Sequence, residues 1–91
     1  MAKKPRLLID WYFNTIRVPD DDATYIVIYS TGRSPPKEFY QHLRRLAERE
    51  LIEKIGTGSV ICKGRKTAMV VKMLAEKYSF RTKIFKVVEA F

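Results

Sequence analysis

Thr24-Tyr25-Ile26-Val27-Ile28-Tyr29-Ser30 decides the fold. Every residue before Ser30 is β-branched or aromatic, the types that strands favour. Apolar side chains occupy both alternating sets of positions, which predicts a strand central in its sheet. Upstream, Val18-Pro19-Asp20-Asp21-Asp22 predicts a turn, because Pro fixes φ and Asp bonds its own backbone. Downstream, Thr31-Gly32-Arg33 predicts a loop and Ser34 a helix cap, with Pro35 at the first helical position. Phe39, Leu43, Leu46, Ala47 and Leu51 then recur at helical spacing to about Leu51 or Lys54. Lys37, Gln41, Arg44, Arg45 and Glu48 face away, and Gly56-Thr57-Gly58 closes the helix.

Further out, Ser59-Val60-Ile61-Cys62-Lys63 predicts a short strand, and Gly64-Arg65-Lys66-Thr67 a turn into a second helix over about 66–78. Val70, Val71, Leu74 and Tyr78 form that helix's apolar stripe, and residues 80–91 predict a last strand. Residues 7–18 carry two patterns. Alternation groups Leu7, Ile9, Trp11 and Phe13; helical spacing groups Leu8, Trp11, Tyr12, Thr15 and Ile16. The residue types favour a strand, paired with 24–30 as a hairpin around the acidic turn. The expected order is β-β-α-β-α-β. It implies a two-layer α+β sandwich, a four-stranded sheet with two helices on one face. Ninety-one residues make a single domain, 1–91, in which 1–6 reads as a flexible basic tail.

Charge gives the first functional clue. Eighteen Lys and Arg against ten Asp and Glu give +8. Residues 1–29 are neutral: Lys3, Lys4, Arg6 and Arg17 offset Asp10, Asp20, Asp21 and Asp22. All of the excess lies beyond, and residues 63–86 hold eight cations against Glu76 alone. A one-signed field repels itself, and a polyanion partner is the usual reason to keep it. The other reason is solubility. One cysteine and one histidine leave no basis for a disulfide or a zinc cage, so no metal or cofactor is expected. The basic start meets Asp10 after three apolar residues, too soon for a signal-peptide core. That predicts a cytoplasmic chain, and no segment is apolar enough for a membrane span. One Asn and one Gln beside so many charges is a thermophile habit.

Two segments carry a family resemblance. Tyr-Ile-Val-Ile-Tyr-Ser-Thr-Gly-Arg-Ser-Pro-Pro-Lys-Glu-Phe-Tyr, residues 25–40, resembles the opening of the archaeal Alba family: a hydrophobic strand, a basic loop, a Pro and the first helix. Val-Ile-Cys-Lys-Gly-Arg-Lys-Thr-Ala-Met-Val-Val-Lys-Met-Leu, residues 60–74, resembles that family's second strand, Gly-Arg turn and second helix. The likeness covers about residues 24–88. It implies nucleic-acid contacts from the basic loop, where Arg33 and Lys37 stand, and from Gly64 and Arg65. Two features depart from the family: an aromatic-rich segment precedes the first strand, and the chain stops at Phe91 without the long hairpin arm that reaches along duplex DNA. The chain is also similar in style to ThermoDBP-type single-stranded DNA-binding proteins.

Binding a single strand takes cations for phosphates and exposed rings for bases. Eleven aromatics are available. Trp11, Tyr12, Tyr25 and Tyr29 would form a stacking platform if the sheet face free of helices displays them; the alternative is that they are core. Phe13, Phe39 and Phe85 are expected in the core. Lys63-Gly64-Arg65-Lys66 leads into a helix N-terminus, where free N–H groups and the helix dipole suit a phosphate. It is neither a P-loop nor an RRM signature. Arg81 and Lys83 share one face of the last strand and Lys86 takes the other; protection of an edge strand explains them equally well. Arg44 and Arg45 complete the cationic candidates. His42 and Cys62 read as structural.

The expected function is therefore non-enzymatic binding of single-stranded DNA or RNA by a homodimer, with no small-molecule substrate. One alternative is an Alba-like architectural protein on duplex DNA, and another is an RNA-binding subunit of a ribonucleoprotein. A third is a metal-dependent nuclease built on Asp10 and the acidic turn, which needs carboxylates converging from different elements.

Overall fold

β1, Thr24–Ser30, lies inside the sheet as its composition predicts. The computed structural model describes residues 8–30 and 36–88. Before β1 comes helix α1, Leu8–Thr15, and after it α2, Lys37–Glu48, then strands β2, Ile52–Gly56, and β3, Ser59–Lys63. Helix α3, Arg65–Lys77, and strand β4, Arg81–Val87, complete the chain's elements. The four strands stand in the order β2-β3-β1-β4, each antiparallel to its neighbour. From β1 onward the order is βαββαβ with β3 inserted between β1 and β2, the ferredoxin-like split βαβ arrangement. The α+β two-layer architecture is as expected from the sequence. No helix among the described residues is long and apolar enough to cross a membrane.

Two element assignments differ from the sequence expectation, and together they leave the strand count unchanged. Residues 8–15 are helix, not a strand hairpinned to β1. Ile9, Tyr12 and Ile16 recur on one side of α1 and its extension and are buried, against α3 and α2. That tertiary burial outweighs the strand preference of Trp, Tyr and Phe. Asp10 fixes the outer side by a bidentate pair with Arg49, at 2.7 and 3.2 Å. Conversely, the chain expected to continue α2 toward Lys54 turns at Glu48 and returns as β2. Glu50 takes a left-handed φ of 59°, while Glu50 N–H bonds Ala47 O and Leu51 N–H bonds Leu46 O. This is a Schellman closure without the usual glycine, so the sequence carries no visible stop. Gly56-Thr57-Gly58 is then the turn of the β2–β3 hairpin, not a helix end. Gly58 sits at φ 89°, and a Cβ there would meet Tyr29 O at 2.8 Å.

α2 also begins later than expected. Pro36 is its N-cap residue, extended at ψ 149° and without a side-chain cap. Ser34 and Pro35, the expected cap and first residue, lie outside the described residues.

The core lies between the sheet and the helices. Tyr25, Val27 and Tyr29 of β1 meet Val60 and Cys62 of β3 on the covered face. α3 supplies Val70, Val71, Leu74 and Ala75, and α2 supplies Phe39, Leu43 and Leu46. Phe39 is fully buried amid Tyr29, Tyr78 and Phe80, with ring centroids 4.7–5.9 Å away. Burial pushes the Cys62 thiol up to about 12, so it stays protonated and acts as a small core side chain.

Candidate nucleic-acid interface

The face of the sheet turned away from the helices follows directly from strand parity. β1 alternates Tyr25, Val27 and Tyr29 inward with Thr24, Ile26, Ile28 and Ser30 outward. Pairing carries that parity across the sheet. Ile26 stands opposite Ile61 on β3 and Phe85 on β4, and Ile61 opposite Glu53 on β2. Ile28 lies between Ser59 and Lys83, Thr24 between Lys63 and Val87, and Ser30 beside Arg81. The uncovered face thus has an apolar row, Ile61–Ile26–Phe85, flanked by Lys63, Lys83 and Arg81. Phe85 is 51% exposed and is the aromatic of this face among the described residues.

The expected stacking platform is not there. Tyr25 and Tyr29 are 5% and 3% exposed and point under the helices, because β1 keeps its bulkier rings for the core and its isoleucines for the open side. Tyr12 is buried in α1's inner stripe. Trp11 is half-exposed but belongs to the helical side, in edge contact with Tyr12 at 5.3 Å. Phe85, expected in the core, takes the place these rings were assigned, while Phe39 is core as expected and Phe13 packs partly against it. The sequence did carry the signal: Phe85 shares the odd-numbered parity of Arg81 and Lys83.

The cationic candidates divide between the two sides. Lys63, Arg81 and Lys83 stand on the open face; Lys86 points to the helical side, as alternation predicts. Lys37, Arg44 and Arg45 lie on α2, remote from the open face across the sheet. Arg33 lies outside the described residues.

The turn at Gly64 is occupied by the protein itself. Asp20 Oδ1 accepts the Lys66 N–H and Asp21 Oδ1 the Arg65 N–H, both at 3.0 Å. The first-turn donors of α3 that suited a phosphate are therefore satisfied by carboxylates from the segment before β1. Gly64 makes the approach possible: at φ 86°, a Cβ there would come within 2.7 Å of Asp20 Oδ1 and 2.9 Å of Asp21 O. Tyr25 OH donates to Asp21 Oδ2 at 2.5 Å. That bond first, and the Arg65 and Ala23 N–H groups with it, hold the Asp21 carboxyl below its ordinary value. The charges of Arg65 and Lys86 stand beside this lock. The acidic turn, read from the sequence as a chain turn or as a metal site, is a helix cap. Asp10 is engaged elsewhere by Arg49, and the described residues contain no cluster of three potential metal ligands.

No family model matches the chain, and neither a curated protein nor a solved structure matches it. The resemblance to the Alba family remains one of short motifs. In the structure, the segment that resembles the family's second strand is β3, preceded by β2.

Proposed function

We propose that this chain is a cytoplasmic, non-enzymatic binder of single-stranded nucleic acid, acting through the open face of its sheet. The observation that carries this is the placement of Phe85: an exposed ring on the edge strand β4, at the end of the open face's apolar row, with Arg81, Lys83 and Lys63 on the same face. A half-exposed ring on an apolar row offers a π-surface to an unpaired base, and duplex bases have no free face to give it. The three cations suit the phosphates on either side.

Charge also selects against a second copy of the chain as the occupant of this face. Among the described residues Lys63, Lys83 and Arg81 face only Glu53 there, so two such faces brought together repel each other. A polyanion turns the same charges into attraction and releases counterions.

The test compares a single strand, a duplex of equal length and an RNA at two salt concentrations. Tighter binding of the single strand, weakened in Phe85→Ala, supports this reading. Tighter duplex binding, indifferent to Phe85→Ala, replaces it with the architectural alternative. Concentration-dependent dimerisation abolished by Phe85→Ala, without nucleic-acid binding, would assign the face to a second copy.

A further inference from the structure

α3 covers β1, β3 and β4, whereas α2 leans on β2, the edge strand. Between α2 and the β2–β3 hairpin lies a slot of about 430 Å³. That volume falls in the range of small-molecule pockets, roughly 300–1,000 Å³. Its floor is apolar: Leu43 and Ala47 from α2, Ile52 and Val60 from the strands. Its mouth carries Tyr40, Arg44 and Lys54. Helical spacing sets Tyr40, Arg44 and Ala47 in line along one side of α2. The Lys54 ammonium lies 5.0 Å from the centre of the Tyr40 ring, so a π-face and a positive charge stand together. Among the described residues neither Arg44 nor Lys54 has a salt-bridge partner; the ion pairs are Arg49–Asp10 and Lys72–Glu76.

We propose that this slot binds an aromatic ring bearing an anionic group, the chemistry of a nucleoside monophosphate. The ring enters over the apolar floor beside Tyr40, and the anion lies between Arg44 and Lys54. An exposed cation–π contact is weak, so an anion draws the Lys54 ammonium off the Tyr40 ring and leaves that ring to the ligand. A neutral apolar ligand would strip water from two cations without compensating them. A bare anion would leave the floor unfilled.

The site is separate from the open face and does not rest on the reading of that face. The adjoining hollow, toward Ile61 and Lys63, is lined by Glu50 and Glu53. A phosphate chain passing from the open face into the slot would have to run by both carboxylates, so the geometry favours a ligand that arrives on its own.

Titration with adenosine 5′-monophosphate, followed by backbone and methyl NMR, tests the assignment. Saturable shifts centred on Leu43, Ala47, Ile52 and Val60 are expected. Adenosine alone and inorganic phosphate alone should each bind about tenfold more weakly or worse. Tyr40→Leu and Arg44→Ala, both at exposed positions, should each lose about tenfold while spectra away from the slot stay unchanged. Phe85→Ala should bind the nucleotide as the wild type does, which separates failure here from failure of the open-face reading. In that variant a short oligoadenylate that displaces the nucleotide assigns the slot to a strand's own nucleotide; no displacement assigns it to the free ligand. Absence of saturable shifts, shifts centred on Phe85, or an equal response to inorganic phosphate overturns the proposal.

Discussion

The two faces of one strand differ more than their sequence does. Tyr25, Val27 and Tyr29 disappear under the helices, and Ile26 and Ile28 on the same strand look outward with Phe85 beside them. By hydrophobicity the two sets are close. By consequence they are not: Tyr29 interlocks with Phe39 and Phe80, and among the described residues the outward side chains have no layer above them. An uncovered apolar face in a small protein is an interaction surface or an aggregation hazard. The cations around this one argue for interaction with an anion. Hydrophobic content alone therefore identifies neither the core nor the site; parity and register do.

The largest expected effect sets these faces against each other directly. Tyr29→Ala empties a site packed edge-to-face on Phe39 and Phe80 and should cost about 3–5 kcal/mol in urea unfolding. Phe85→Ala, on the open side, should cost under about 1 kcal/mol. Equal costs would mean that something covers the open face in solution, and a stability that rises with protein concentration would identify it as a second copy.

Which face is which was only partly legible in the sequence. The alternation in residues 24–30 placed β1 inside the sheet correctly, because both sets of positions are apolar. The same property hid which set faces the helices. Polar–apolar contrast normally supplies that answer, and here it is missing. The positions of the helices decide it instead, and those depend on two features that sequence patterns do not display. One is the left-handed Glu50, which stops α2 and frees residues 52–56 to become a strand. The other is α1, whose strand-like residues fold as a helix because Ile9 and Tyr12 find a surface on α3 and α2. The cations of β4 were legible throughout, since alternation in an uninterrupted strand needs no tertiary information. Lys63-Gly64-Arg65 was located correctly as a strand-to-helix turn, but its carboxylate partners lie some forty residues earlier in the chain, beyond any local pattern.

The next effect is on binding. Phe85→Ala should weaken single-strand binding by about 1–3 kcal/mol, the usual contribution of one stacked base. Trp11→Ala should leave it unchanged, although Trp11 is comparably exposed and the larger ring, because it sits on the helical side. The reverse outcome would move the site to the helices.

A smaller effect sharpens the same contrast through salt. Each phosphate contact on a single strand contributes about −0.7 to the log–log slope of affinity against salt. Lys83→Ala, on the open face, should flatten the slope by about that much. Lys72→Ala, on α3 and paired with Glu76 at 3.0 Å, should not change it. Equal flattening by both would show that binding follows net charge and no particular face.

The smallest effect concerns the edge where the covered face meets water. The Tyr25 ring is core, yet its hydroxyl reaches the surface and donates to Asp21, which in turn caps α3. Asp21 is held below its ordinary value of 3.8, first by the Tyr25 hydroxyl. A carboxylate whose value is lower in the folded state stabilises the fold above its ordinary value, and that contribution fades as pH falls from 3.8 through the folded value. Tyr25→Phe keeps the ring in place and removes the main cause. The urea midpoint of Tyr25→Phe should therefore fall less steeply than that of the wild type on acidification below 3.8. The step should shrink without vanishing, because the Arg65 and Ala23 N–H groups still bond Asp21. Asp10 supplies an internal control: Arg49 holds its carboxyl down by a separate bond, so that part of the acid response should persist in Tyr25→Phe and disappear in Arg49→Ala. Tyr25 responds in the opposite direction. Its phenol is raised above 10.0, chiefly by the bond to Asp21, so its contribution is complete below 10.0 and is lost as pH rises through the higher folded value. Identical acid branches in Tyr25→Phe and the wild type would show that the hydroxyl only decorates the turn, and that the cap on α3 holds by its backbone bonds alone.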